Sequence, residues 1–250
     1  MEWSYKAKAM RIVHMSDIHL VKDGAKIWDT DTKSHFNKAL KKISQIKDID
    51  AIFVSGDLSD DGSLWTYQYI DESFKSLGIP TYCCPGNHDD TEVMMKSYNP
   101  KFYKVQECVS IKGWDFYLLN SVVDGMSRGL LPDTKIEYIE NIIKHSDTPT
   151  VFVLHHPPIE PGGWLNRKLL ENRNDLNSVL FKYPNVKLVL FGHIHYHLNR
   201  RIDNIIFSSS SSIGFAFDMN LPKFQIADGN EGFSLIDIVG DSINIENILI

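Results

Sequence analysis

Cysteine is scarce in this chain. Cys83, Cys84 and Cys108 are the three among 250 residues, too few for a disulfide framework and odd in number, which fits a reducing compartment. Long apolar runs are missing: none approaches the ~18 residues of a membrane span. The first ten residues, MEWSYKAKAM, lack the apolar stretch of a signal peptide. The expectation is a cytoplasmic protein with no membrane partner. Surplus positive charge is absent too, because 26 Lys and Arg face 32 Asp and Glu, a formal charge of −6. Such a chain has few cations to exchange for phosphate counterions, so a long nucleic acid is a poor candidate ligand. No repeat or linker divides the chain, and Ser208–Ser212 is its one low-complexity tract. What is present is ordinary, 43% hydrophobic and 23% charged, and long enough to bury a full core. Ten histidines in an acidic chain are the feature left to explain.

Short apolar runs alternate with amphipathic stretches. Arg11–Met15, Ala51–Ser55, Thr81–Cys84, Thr150–Leu154 and Val186–Phe191 read as strands. Ser34–Lys47 (N-cap Ser34), Leu64–Leu77 (stopped by Gly78 and Pro80), Asp133 to about His145, and Leu165–Phe181 read as helices. Val105–Ile111 and Asp115–Leu119 read as a hairpin about Lys112-Gly113. After Phe191 the helical period stops. Leu198–Ile202, Ile205–Ser209, Ile213–Phe217, Phe224–Ile226, Phe233–Val239 and Ile243–Ile250 then read as a β meander over residues 197–250. The pattern predicts one α/β domain over residues 1–250, with residues 1–9 as an N-terminal extension and helices outside two sheets.

Five strand candidates run directly into polar clusters. These are Asp17-Ile18-His19, Gly56-Asp57, Gly86-Asn87-His88-Asp89, His155-His156-Pro157 and Gly192-His193-Ile194-His195. Carboxyl ends of strands are where α/β sheets hold ligands, so five such clusters converge on one surface. Asp, Asn and His offer oxygen and imidazole nitrogen to divalent metals. The i, i+2 spacing in Asp17-x-His19 and His193-x-His195 points both side chains the same way on an extended backbone. No Cys falls in a ligand position, which argues against a structural zinc–thiolate site. Each motif alone reads as a turn; the five together in this order do not.

The series D-x-H, G-D, G-N-H-D, H-H-P and G-H-x-H resembles the calcineurin-like dinuclear metallophosphoesterase superfamily. The short chain, His155-His156-Pro157-Pro158, and the segment from Trp164 to Leu170-Glu171-Asn172 are most similar to bacterial class III cyclic-nucleotide phosphodiesterases and related glycerophosphodiesterases. The resemblance implies a four-layer α-β-β-α sandwich of two mixed sheets. It also implies two divalent ions, Mn or Fe first, with Zn, Co, Ni or Mg as alternatives. Asp17, His19 and His195 are then assigned to one ion, Asn87, His156 and His193 to the other, and Asp57 to both, with His156 taken over His155 as the histidine directly before the prolines. His88 is assigned to the phosphate or the leaving group, and Asp89 is a candidate to orient its ring.

The implied activity is hydrolysis of a small phosphodiester, of the cyclic-nucleotide or glycerophosphodiester type, by a metal-bridging hydroxide. The two carboxylates supply about −2 against +4 from the ions, so the site is positive inside a negative chain. The alternatives are a phosphomonoesterase or protein phosphatase on the same site, a nuclease, and a non-catalytic scaffold. Trp164 either stacks on a substrate base or anchors its loop. Asn172 and His197 are further candidate substrate contacts, and Asp23–Asp31 is a candidate pocket wall. Residues 157–174, freed by Gly162-Gly163, form a candidate lid. The meander's edge strands offer a surface for a homodimer.

Overall fold

The computed structural model describes residues 9–97, 103–104, 107–220 and 223–250. Most of the expected N-terminal extension, and the first two residues of the expected strand Val105–Ile111, lie outside the described residues.

The strands are β1 (Met10–Met15), β2 (Ala51–Ser55), β3 (Thr81–Cys84), β4 (Tyr103–Lys104), β5 (Cys108–Ile111), β6 (Trp114–Leu118), β7 (Thr150–Leu154), β8 (Val186–Phe191), β9 (Leu198–Ile202), β10 (Ile205–Ser209), β11 (Gly232–Val239) and β12 (Ser242–Leu249). The helices are α1 (Thr32–Ile43), α2 (Leu64–Leu77), α3 (Thr91–Lys96), α4 (Asp133–Lys144) and α5 (Arg173–Leu180). One mixed sheet has the order β12-β11-β1-β2-β3-β4, the other β5-β6-β7-β8-β10-β9. In both, the central strands are parallel; the second sheet carries an antiparallel hairpin at each edge, whereas the first carries one at the β12 edge and ends at the other in β4, parallel to β3.

Side-chain alternation fixes the layers. Ile12, Phe53, Phe116, Val151, Val153, Leu188 and Leu190 fill the space between the sheets. Val13, Met15, Ile52 and Val54 point the other way, onto Phe36, Ala39 and Ile43 of α1 and Tyr67, Ile70 and Phe74 of α2. Phe152, Leu154, Val189 and Phe191 likewise meet Ile136, Ile139 and Ile143 of α4 and Leu176 and Leu180 of α5. Strands apolar on both faces therefore lie inside an α-β-β-α sandwich, the expected architecture.

Several elements differ from the sequence expectation. α1 begins at Thr32, because the Asp31 carboxylate accepts from Ser34 N at 2.9 Å and takes the N-cap place given to Ser34. The expected helix Leu165–Phe181 breaks into a 3-10 turn (Gly163–Arg167), an irregular stretch and α5. Leu170 N donates to Pro157 O and Glu171 N to Gly129 O, bonds that pull these residues out of a helical ladder. Neither Ile213–Phe217 nor Phe224–Ile226 forms a strand; a single bridge joins Phe217 to Ile226. The C-terminal third is therefore two hairpins rather than one meander. β9-β10 extends the second sheet from β8, and β11-β12 extends the first from β1.

The contact between the sheets sets stability. Phe53 is fully buried and stacks on Phe116 across the interface at 4.5 Å between ring centroids. Phe53→Ala is expected to cost about 3–5 kcal/mol in a urea unfolding titration. Lys182→Ala, which breaks the solvent-screened pair with Glu140, is expected to leave the urea midpoint near that of the wild type.

Candidate metal centre

The carboxyl ends of β1, β2, β3, β7 and β8 bring their five polar clusters together. The chain does not stay extended there. Asp17, His19, Asp57, His193 and His195 all adopt left-handed backbone conformations, with φ from 46° to 71°. Convergence of Asp17 with His19, and of His193 with His195, thus comes from tight left-handed winding and not from the strand alternation the spacing suggested. Each such residue costs of order 1–3 kcal/mol and persists only where its surroundings over-determine it. Gly56, at φ 90°, is one constraint: a Cβ there would lie 2.6 Å from His155 Nδ1 and 2.8 Å from the Gly86 Cα.

Hydrogen bonds fix the histidine tautomers. His195 Nδ1 donates to Phe215 O at 2.8 Å, and His155 Nδ1 donates to Ser55 O at 2.8 Å. His19 Nδ1 meets the Asp60 carboxylate at 2.9 Å. Each ring therefore places its proton on Nδ1 and turns Nε2 inward. His19 Nε2 and His195 Nε2 lie 3.2 Å apart. In their neutral forms these are two acceptors facing each other. Around His155 Nε2 stand Asn87 Oδ1 and His193 Nδ1, each at 3.1 Å, and Asp57 Oδ2 at 3.3 Å. The same Asp57 oxygen is 3.5 Å from His19 Nε2, and Asp17 Oδ1 is 3.3 Å from His195 Nε2. Metal–ligand bonds near 2.1 Å at octahedral to tetrahedral angles put neighbouring donors roughly 3.0–3.4 Å apart. Most of the inward atoms sit at 3.1–3.5 Å, with Asp17 Oδ1 4.0 Å from His19 Nε2, in two groups that share Asp57, so the residues fit two divalent ions.

The charges point the same way. Burial, reinforced by Asp57, holds Asp17 above its ordinary carboxyl value. Burial also pushes Asp57 up, but His155 and then His19 outweigh it, and Asp57 ends well below that value. Burial lowers His155, yet Asp57 and Asp17 reverse the effect and lift it to about 9. Burial drives His193 and His195 well down. Without an ion His155 is thus protonated at neutral pH, its Nε2–H donating toward Asp57; a dication would displace that proton and leave Nε2 free as a ligand.

The structure gives several expected residues other partners, and it brings His155, His156 and His193 close enough for one ligand atom of each to lie within 4.8 Å of the others. His155, not His156, points Nε2 at Asp57 and Asn87. His156 Nδ1 pairs with Ser121 Oγ at 2.8 Å, its Nε2 has no partner, and burial lowers it to about 3. Asp89 does not orient His88. Its carboxylate accepts from Gly86 N, Leu58 N, Ser59 N and the Tyr67 hydroxyl, stapling the loop after β2 to the loop after β3. The partner of His88 Nδ1 is Asp60, at 3.0 Å, through the same oxygen that meets His19. Asp60 was not anticipated, because Ser59-Asp60-Asp61-Gly62 reads as a solvated turn. Asn172 spends its amide on Leu131, accepting from its N at 3.2 Å and donating to its O at 2.7 Å. His197 lines a different cavity, beside Ser211 and Asn247.

The cleft over the candidate ligands has a volume of about 260 Å³. Its walls include His88, Ser127, Trp164, Lys168 and the rings of Trp28, Phe215, Phe217 and Phe224. Trp28 lies in the expected wall, Asp23–Asp31. Residues 157–174 are a packed wall: Leu165 and Leu170 are buried, and Asn177 Nδ2 donates to Pro158 O at 2.7 Å.

Asp60→Ala removes a carboxylate that fixes both His19 and His88. It is expected to lower phosphoesterase kcat or metal affinity by about 10–100-fold, while the urea midpoint stays near that of the wild type. Unchanged kinetics and metal content would show that Asp60 positions nothing.

A family profile described as calcineurin-like phosphoesterase matches residues 10–197. A 3′,5′-cyclic-nucleotide phosphodiesterase of a Nostoc species is 33% identical over 92% of this chain and 88% of its own length. The 3′,5′-cyclic adenosine monophosphate phosphodiesterase CpdA of Escherichia coli is 32% identical over 76% of this chain and 71% of its own. Among solved structures, a dimetal phosphatase from Danio rerio superposes with a TM-score of 0.71 at 10% identity, over 95% of each chain, a likeness of fold. Similarity that begins at β1 and runs through all five polar loops makes the chain a member of the calcineurin-like phosphoesterase family, and a phosphoesterase hydrolase.

Proposed function

We propose that the chain hydrolyses small phosphodiesters of the cyclic-nucleotide type with two divalent metal ions. The ligands are Asp17, His19 and His195 at one ion, Asn87, His155 and His193 at the other, and Asp57 at both. His155 replaces the His156 of the sequence reading. The observation that carries the proposal is the set of buried acceptors that face one another, with two carboxylates and inward imidazole nitrogens at ligand-to-ligand distances. Nitrogen and oxygen donors without thiolate suit Mn or Fe, with Zn, Co or Ni compatible.

When bound, the ions acidify a water so that it is a nucleophile near neutral pH and offset charge on the phosphoryl oxygens. The chain's own residues do the rest. Asp60 holds His88 through Nδ1, which leaves Nε2 for the leaving oxygen and makes His88 the candidate proton donor. Asp57 Oδ1 accepts from His88 N at 2.9 Å, so the carboxylate that would hold both ions also sets the position of the His88 backbone. Lys168 is the one Lys or Arg among the described residues lining the cleft. A wall with one cation and several rings suits a monoanionic diester carrying an organic group better than a dianionic monoester. The names of the similar enzymes support the cyclic-nucleotide class, and no helix among the described residues is long and apolar enough to cross a membrane.

Turnover of bis(p-nitrophenyl) phosphate, p-nitrophenyl phosphate and 3′,5′-cyclic AMP with added Mn²⁺ tests this reading. The diesters are expected to show the higher kcat/KM, and the cyclic nucleotide is expected to open to a monophosphate. A large monoester preference would overturn the diester assignment. His88→Ala is expected to keep its metal and lose at least about 10²-fold in kcat; a wild-type rate would remove His88 from the reaction.

A further inference from the structure

We propose that Trp28, Phe224 and Trp164 form a stacking site for the nucleobase of the bound substrate. The proposal rests on the phosphodiesterase reading and names what that site recognises beyond phosphate.

The rings form a continuous collar over the cleft. Phe215 lies 4.7 Å from His19, Trp28 4.8 Å from Phe215, and Phe224 4.6 Å from Trp28, centroid to centroid. Phe224 continues to Phe217 at 5.1 Å and to Trp164 at 6.0 Å, and Phe217 returns to His195, stacked at 4.1 Å. Trp28 is thus two ring contacts from a candidate ligand, close enough for one small molecule to touch both.

Three observations mark this collar as a ligand surface rather than core. First, Trp28 is 56% exposed and Phe224 40%. Adjacent aromatic faces left in water forgo burial worth about 25 cal/mol per Å² and mark an interaction site. Second, Trp28 sits where a tryptophan is costly. Ile27 and Thr30 exchange backbone hydrogen bonds at 3.1 and 2.9 Å around Trp28 and Asp29, whose φ values are 46° and 63°. A two-residue turn with both φ positive favours Asn-Gly, and a bulky residue there is a genuine outlier. Folding does not select this residue; an exposed ring at the cleft mouth does. Third, Trp164 lines the same cleft as Trp28 and Phe224, with its ring 6.0 Å from Phe224 between centroids.

An aromatic collar also suits a quaternary ammonium group. The charges nearby oppose that. The Arg167 guanidinium and the Lys168 ammonium already lie 5.8 and 5.9 Å from the Trp164 ring centroid. A second cation would be repelled, whereas a neutral planar base stacks on rings without that penalty.

Calorimetric titration of the Mn²⁺-loaded protein with 5′-AMP and with ribose 5-phosphate tests the site without turnover. The wild type is expected to bind 5′-AMP at least about tenfold more tightly. Trp28→Ala and Phe224→Ala are expected to erase most of that difference, leaving ribose 5-phosphate within about twofold and the thermal midpoint unchanged, since both side chains are exposed. Trp28→Phe is expected to restore part of it. Equal wild-type affinity for the two ligands, unchanged 5′-AMP binding in both alanine variants, or equal weakening of both ligands would overturn the stacking site. So would affinity lost for glycerophosphocholine instead of 5′-AMP. If the wild type hydrolyses no diester, the phosphodiesterase reading fails separately, and the calorimetry still decides whether the collar binds a base.

Discussion

Acceptors that face acceptors in a dry space are the constraint on which this structure turns. Asp17 and Asp57 are buried, and the Nε2 atoms of His19, His155 and His195 turn toward them and toward each other. Buried carboxylates and the opposed lone pairs of His19 and His195 are among the most expensive things a fold can bury. Divalent cations remove that cost and convert it into binding energy. The outward nitrogens are each committed, to Phe215 O, Ser55 O and Asp60, so the rings cannot rotate to relieve the conflict.

The fold supplies the place and the stiffness. Parallel strands from two stacked sheets end on one surface, and the loops leaving them wind left-handed at five of the candidate ligands. Winding of that kind stores strain, and the surroundings hold it. The Asp89 carboxylate ties the loops after β2 and β3 together, and both Asp17 oxygens accept from His193 N at 3.0–3.1 Å across the sheets. The phenylalanine stack between the sheets keeps these two sets of loops in register. A general scaffold thus becomes a candidate metal site through a few buried carboxylates that brace backbone as well as face the candidate ligands.

Much of this was legible in the sequence for a physical reason. Strands buried on both faces read as unbroken apolar runs, and the polar clusters that follow them are conspicuous. What was not legible depended on contacts between distant segments. His155-His156 differ by one residue, and only the ring directions separate a candidate ligand from a partner of Ser121. Asp60 sits in a polar run indistinguishable from a solvated turn. Asn172 looked like a substrate contact and instead holds Leu131. Trp28 and Phe224 are nearly 200 residues apart and meet only because the chain after β10 crosses back over the first loop. The last third misled in a related way, since alternating apolar residues specify strands but not which sheet receives them.

The chain carries a formal charge of −6, and the positive charge that a phosphate ligand needs would come from ions bound where the acceptors meet. Metal content of the Mn²⁺-loaded protein, by elemental analysis with electron paramagnetic resonance for spin coupling, tests it most directly. Two coupled Mn²⁺ per chain are expected in the wild type and in His156→Ala. Loss of one ion is expected in His155→Ala, and loss of the coupled pair in Asp57→Asn. Two coupled ions in Asp57→Asn, or retention in His155→Ala with loss in His156→Ala, would contradict it.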